Sequence, residues 1–290
     1  MDFLVEASDF GQEIKFPFDD TPYPNYKNVF IKSSKDYEKV ANMKVFDPRN
    51  PKEAPRMSFL IEVIKKLKAW NPDVFVIGFV YCAFGVLANL RVGEKLISEC
   101  EIYKKEIHEA LKTINKILNE YTKAQLEAGA DAICLNTSFC SHTSMTKQLW
   151  KEMEGEYAKE QAKIIADFRK PILVFNYRNL PYFDILEECL WIRKDIPFGI
   201  LFADLPIECK TEEELKNTYG KRFTLHGHIM PSPTLFLGTP EEVKKECKSQ
   251  LDIFAKGGRY ILGASCEFPP NGSLLNAIAM TEAANEWSYK

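Results

Sequence analysis

Two short stretches combine residue types and spacing that can do chemistry. Cys266 and Glu267 follow an apolar run at 259–263 and precede Pro269-Pro270, with a helix resuming near Ser273. In β/α proteins the residues just past a strand's carboxyl end are where chemistry usually sits. A thiol beside a carboxylate there is read as functional, against the alternative of a cysteine that packs. The second stretch is His226-Gly227-His228. Residues two apart on a strand project from one face, so both imidazoles would point the same way. The next strand carries Cys266, and neighbouring strands lie about 4.8 Å apart, so two histidines and a cysteine can converge. Three protein ligands with an open fourth position suit a catalytic zinc, which would hold an acceptor thiol as thiolate. The alternatives are a core His226 bonded to a carbonyl and a His228 that is an ordinary polar strand-end residue.

Other candidates also sit where strands end. Asn136 and Asp204 do, and Asp204 can act as acid, base or hydrogen-bond partner, or as a paired structural carboxylate. Tyr177, Arg178 and Asn179 close another strand, where a phenol and a guanidinium suit an anionic or amphipathic ligand. Cys140 and His142 form a weak supplementary ligand source, having no second pair at metal-binding spacing. Phosphate loops, a dinucleotide glycine fingerprint, Gly-x-Ser-x-Gly and His-Glu-x-x-His are all absent, which argues against nucleotide and hydrolase functions.

These residues need a scaffold, and the periodicity supplies one. Short runs rich in Val, Ile, Leu and Phe at 74–81, 131–135, 171–177, 198–203, 222–229 and 259–263 read as parallel strands covered on both faces. Helical patterns at 56–70, 101–128, 147–168, 181–192, 211–218 and 239–256 alternate with them. The chain is therefore α/β with a parallel sheet of six strands. Residues 1–55 have no steady period and read as an irregular flap with one short helix near 33–43, laid over one end of the sheet. Phe16, Phe18, Tyr23 and Tyr26 in that flap either pack a lid or line a wide apolar pocket. Composition is 46% apolar and 27% charged with net charge −3, which does not point to a nucleic-acid partner or an anionic membrane surface, and neither is expected. No apolar run reaches a membrane span and no signal peptide opens the chain. The eight cysteines form no CxxC pair and are read as reduced thiols, giving a cytoplasmic protein.

At this level of detail the chain resembles the uroporphyrinogen decarboxylase superfamily. The motifs that carry the resemblance are FGQEIKF (10–16), NPKEAPRM (50–57), VIGFVYCAFGVLANLRVGEKLI (76–97), AGADAICLNTS (128–138), KPILVFNYRN (170–179), LHGHIMPSPTLFLGTPEEV (225–243) and the segment 257–280. They are most similar to the corrinoid-dependent methyltransferases that move a methyl group from a methylcobamide protein to a thiol such as coenzyme M. The resemblance implies one TIM-type (β/α)8 barrel over 1–290, N-terminally shortened by about one and a half β/α units. Cys266 falls on the family's second zinc cysteine, while its His-x-Cys positions fall on Phe175 and Tyr177.

The resulting expectation is a methyltransferase using a methylcobamide from a corrinoid protein partner and a small-molecule methyl acceptor, assisted by zinc on His226, His228 and Cys266. Asp204 and Glu267 are its catalytic candidates, and Asn136, Tyr177 and Asn179 shape the acceptor pocket. The alternatives are a non-catalytic corrinoid- or tetrapyrrole-binding subunit and a porphyrinogen decarboxylase. The decarboxylase lacks support because no Arg-rich segment opens the chain. Unpaired sheet edges lead to the expectation of a homo- or hetero-oligomer.

Overall fold

The structure is a computed structural model that describes residues 5–15, 25, 26 and 28–287. It opens with a short helix α1 (Val5–Asp9) and a small antiparallel pair, β1 (Ile14–Lys15) with β2 (Asn25–Tyr26). A 3-10 turn, Ser34–Asp36, leads into α2 (Tyr37–Ala41). The expected short helix is therefore present, but it packs on the outside of a later helix (α6 below) rather than over an end of the sheet.

From α3 (Pro55–Trp70) onward strands and helices alternate. The order is β3 (Ile77–Tyr81), α4 (Ala83–Arg91), α5 (Gly93–Glu99), α6 (Lys104–Glu127) and β4 (Ala132–Asn136). It continues with α7 (Lys147–Trp150), a π turn at Lys151–Gly155, α8 (Glu156–Asp167), β5 (Ile172–Asn176), α9 (Phe183–Leu190) and β6 (Phe198–Phe202). The chain finishes with α10 (Glu212–Thr218), β7 (Thr224–Ile229), a π turn at Pro231–Phe236, α11 (Pro240–Phe254), β8 (Tyr260–Ala264) and α12 (Leu274–Glu286).

Capping chemistry starts several of these helices. Thr239 caps α11 and shares a capping box with Glu242, with Pro240 in the first turn, while Thr211 caps α10. All six strands of the main sheet are parallel and neighbours in sequence order, β3 to β8. This is the arrangement of consecutive units of a (β/α)8 barrel.

Register decides which side chains face the barrel interior. Tyr81, Asn136, Phe175, Leu201, His226 and Ile261 lie level across the sheet, as do Phe79, Cys134 and Leu173 one step below. The alternate residues, among them Ile133, Leu135, Val174, Ile200, Phe202 and Leu225, join the core under the helices. That double coverage is why the strands read as unbroken apolar runs.

Among the described residues the outer edge of β3 has no partner strand, and side chains take up the polar groups of Phe79 and Tyr81 there. Gln125 on α6 accepts from the Phe79 N–H and donates to the Phe79 carbonyl, both at 3.0 Å. Its amide thus stands in for a neighbouring backbone. The Tyr81 N–H donates to the Glu6 carboxyl at 3.0 Å, and Gln161 on α8 donates to the Tyr81 carbonyl at 3.3 Å. A buried backbone group left unpaired costs about 1–3 kcal/mol, so these three side chains seal the edge. Of the two edges expected to invite association, only that of β8 remains without such cover among the described residues.

Candidate functional site

The inner face of the sheet carries an open apolar slot of about 220 Å³. Ile77, Phe79, Cys134, Leu173, Phe175 and Leu201 form its wall, and Cys266 and Glu267, just past β8, close it. Phe79 and Phe175 meet edge to face at 6.2 Å. Among the described residues Glu267 is the only charged one lining the slot, and no lysine or arginine reaches it. It also borders a second hollow of about 270 Å³, roofed by Pro231, Phe236, Pro269 and Pro270, so it stands between slot and mouth. Burial raises the Cys266 thiol above its ordinary range, only partly offset by a backbone hydrogen bond at Glu267. Cys134, fully enclosed, is pushed up to about 12. Both sulfurs are therefore neutral thiols near pH 7 unless a cation is beside them.

The two histidines do not share a face, contrary to the sequence expectation. His226 projects into the interior against Gly263 of β8, where a Cβ would overlap the imidazole. Burial lowers its pKa to about 4, so it is neutral, and its Nδ1 is buried without a hydrogen-bond partner. His228 turns the other way. Its Nε2 lies 2.8 Å from Glu212 Oε1, and its ring packs against Phe202 and Phe254 at 4.9 and 5.9 Å. Gly227 has φ of 132°, a conformation open to glycine, and there the two-residue alternation assumed for β7 breaks down.

The zinc expectation fails this test of fit. Cys266 and His226 face the interior, His228 is held by a carboxylate in the helical layer, and no three His, Cys, Asp or Glu side chains meet around a metal-sized space among the described residues. Cys140 is buried with its sulfur toward the Tyr182 carbonyl, and His142 packs on the Tyr182 ring, so neither supplements a ligand set.

The remaining candidates divide. Asn136 is 1% exposed; its Oδ1 accepts from Ser138, while its Nδ2 has no partner and so offers a donor to the interior. Tyr177 is half-exposed at the end of β5, its ring 5.6 Å from Phe175. Asn179 is exposed, and its described contact is a carbonyl accepting from Thr143. Asp204 is not poised as an acid or base. Its two oxygens accept from the backbone N–H of Leu180 and Leu205, which ties the β5 and β6 loops together. Phe16, Phe18 and Tyr23 lie outside the described residues, and Tyr26 is described only in its backbone. The slot's walls at Cys134, Leu173 and Leu201 were not among the expected site residues. Alternation along β4, β5 and β6 carried that signal, since these residues share the face of Phe175.

Comparison with known proteins places this geometry in a lineage. The chain is similar to a methyltransferase from Methanosarcina mazei, with TM-score 0.75 and 20% identity over 98% of this chain and 77% of that one. It also resembles a B12-independent methionine synthase from Shewanella sp. W3-18-1 in complex with selenomethionine, with TM-score 0.51 and 17% identity over 78% and 67% of the two chains. At these identities the likeness is one of fold. Among curated sequences it is 24% identical to a uroporphyrinogen decarboxylase from Aquifex aeolicus, over 94% of this chain and 73% of the relative. It is 26% identical to the methylcobamide:CoM methyltransferase MtaA of Methanosarcina barkeri, over 80% and 64%. Its match to the Chlorobium phaeovibrioides uroporphyrinogen decarboxylase spans 52% of this chain and only 40% of that protein. The family model described as uroporphyrinogen decarboxylase (URO-D) matches residues 1–287, and with six consecutive barrel units and a thiol-bearing loop after the last strand, the chain belongs to that family.

Proposed function

We propose that the chain is a corrinoid-dependent methyltransferase that moves a methyl group from a methylcobamide-bearing protein to a small thiol or other soft nucleophile in the slot beneath Cys266. The observation that carries this reading is the size and charge of the slot. An apolar cavity of about 150 Å³ holds a benzene molecule, so an open slot of about 220 Å³ suits an acceptor of modest size better than a tetrapyrrole macrocycle. A porphyrinogen is moreover a polycarboxylate, and a wall whose only charge among the described residues is Glu267 would repel it. The slot therefore favours the methyltransferase branch of the family over the decarboxylase branch.

The acceptor needs little of this chain beyond placement and a route for its proton. Apolar walls from Phe79, Leu173, Phe175 and Leu201 exclude water and hold the acceptor in one orientation. A thiol acceptor must lose its proton as its sulfur takes the methyl group, and Glu267 is the carboxylate placed to receive it. Because His226, His228 and Cys266 do not converge, no step is assigned to zinc. The same dispersal favours a second reading, a subunit that binds a corrinoid protein without turnover.

Incubation of the purified chain with free methylcobalamin and a series of small thiols, followed by the cobalamin absorbance, separates the two. Methyltransferase function predicts thiol-dependent demethylation that Leu201→Trp, which fills the slot, lowers at least tenfold. Absence of demethylation, or a Leu201→Trp variant as active as the parent, would overturn the proposal.

A further inference from the structure

Arg178, which follows Tyr177 beyond the end of β5, is a charge without a carboxylate partner among the described residues. Its guanidinium lies over the Tyr177 ring at 5.3 Å and over the Phe139 ring at 5.6 Å. Its Nε is buried and has no hydrogen-bond partner, and no carboxylate pairs with it among the described residues. Other arginines differ. Those of Arg49, Arg91, Arg169, Arg193 and Arg222 bond carboxylates, and that of Arg259 a carbonyl. Asp204, on the neighbouring β6 loop, is occupied by backbone N–H groups of Leu180 and Leu205.

The loop is also held still. Asn176, fully buried, accepts from the Arg178 N–H at 3.0 Å and donates to the carbonyls of Thr137 and Cys140 at 3.2 and 2.9 Å. The guanidinium lies against two rings with its Nε buried and unpaired, and an oxyanion is what its planar fork recognises.

We infer that Arg178 anchors the acid group of the acceptor, a small organic monoanion bearing a carboxylate, sulfonate or phosphate, at the mouth of the barrel. Tyr177 lies between Arg178 and Phe175 of the slot wall, so a ligand can set its acid group on the guanidinium and run its apolar part along these rings toward the interior. One cation matches one acid group, in keeping with a slot that repels polycarboxylates. This names the acceptor's class for the site proposed above and rests on that reading only in calling the ligand an acceptor.

Calorimetric titration with hexanoate and with 1-hexanol, two probes alike except in charge, tests the assignment. The parent protein should bind hexanoate at least tenfold more tightly than 1-hexanol. Arg178→Gln should abolish that preference while leaving 1-hexanol binding unchanged, and Arg178→Lys should restore part of it, since an ammonium keeps the charge but not the fork. No preference for hexanoate in the parent protein would overturn the assignment whether or not the variants fold, as would a preference that survives Arg178→Gln. Loss of methyl transfer with the hexanoate preference intact would sink the functional proposal and leave the anion site standing.

Discussion

Replacing Gln125 by leucine tests whether the open edge of the sheet is closed from within. Gln125 is 1% exposed and bonds both the N–H and the carbonyl of Phe79 at 3.0 Å. Leucine fills a similar volume but can neither donate nor accept, so two backbone groups on β3 lose their partners together. At about 1–3 kcal/mol for each orphaned group, partly offset by the gain in apolar burial, the substitution should cost roughly 2–4 kcal/mol. Urea unfolding should show the loss as a lower midpoint with an unchanged slope, and hydrogen exchange should show the Phe79 amide losing protection before those of β5 and β6. Gly78→Ala provides an independent route to the same result, because a Cβ at Gly78 would displace the Gln125 amide. A leucine variant within about 0.5 kcal/mol of the parent, with the Phe79 amide still protected, would refute the reasoning. It would mean that another strand pairs with β3 in solution.

Two buried carboxyls give the protein a pH dependence of definite sign. Burial raises Glu6 and Glu154 from 4.5 to about 8, so both are protonated in the folded state near neutrality and ionised in the unfolded chain. Their contribution is complete below about pH 4.5 and is lost as pH rises toward 8, at up to about 1.4 kcal/mol per pH unit for each group. Glu6→Gln should flatten the stability profile between pH 5 and 8, as denaturant melts at several pH values would show; an unchanged slope would contradict the assignment. Gly263→Ala should push the His226 ring off β8, visible as a rise of its imidazole pKa from about 4 toward the ordinary value in an NMR titration. A histidine that still titrates near 4 in that variant would contradict the packing described.

Much of the fold was legible because burial on both faces leaves a plain mark. All six runs of Val, Ile, Leu and Phe became strands of the main sheet, and helix ends such as Thr239-Pro240 formed as their capping chemistry requires. Helices α4 and α5 were not read, since Ala83–Arg91 is buried nearly all round and shows no polar face to set a period. The site was less legible. Cys266 does close an interior slot, but the pairing of His226 with His228 assumed an uninterrupted strand, and a glycine at φ 132° between them undid it. Asp204 shows the same limit: its position at a strand end was read correctly, while its two bonds to loop N–H groups depend on how the β5 and β6 loops pack. Gln125 and Gln161 carried no sequence signal at all, because their partners are backbone groups on a strand distant in the chain.

The central claim, that the interior slot serves a small methyl acceptor and not a macrocycle, is tested most directly by offering one preparation both chemistries in parallel. Methylcobalamin with a small anionic thiol should be demethylated, and uroporphyrinogen should be recovered with all its carboxylates. Release of carbon dioxide from uroporphyrinogen, with methylcobalamin left intact, would contradict the account.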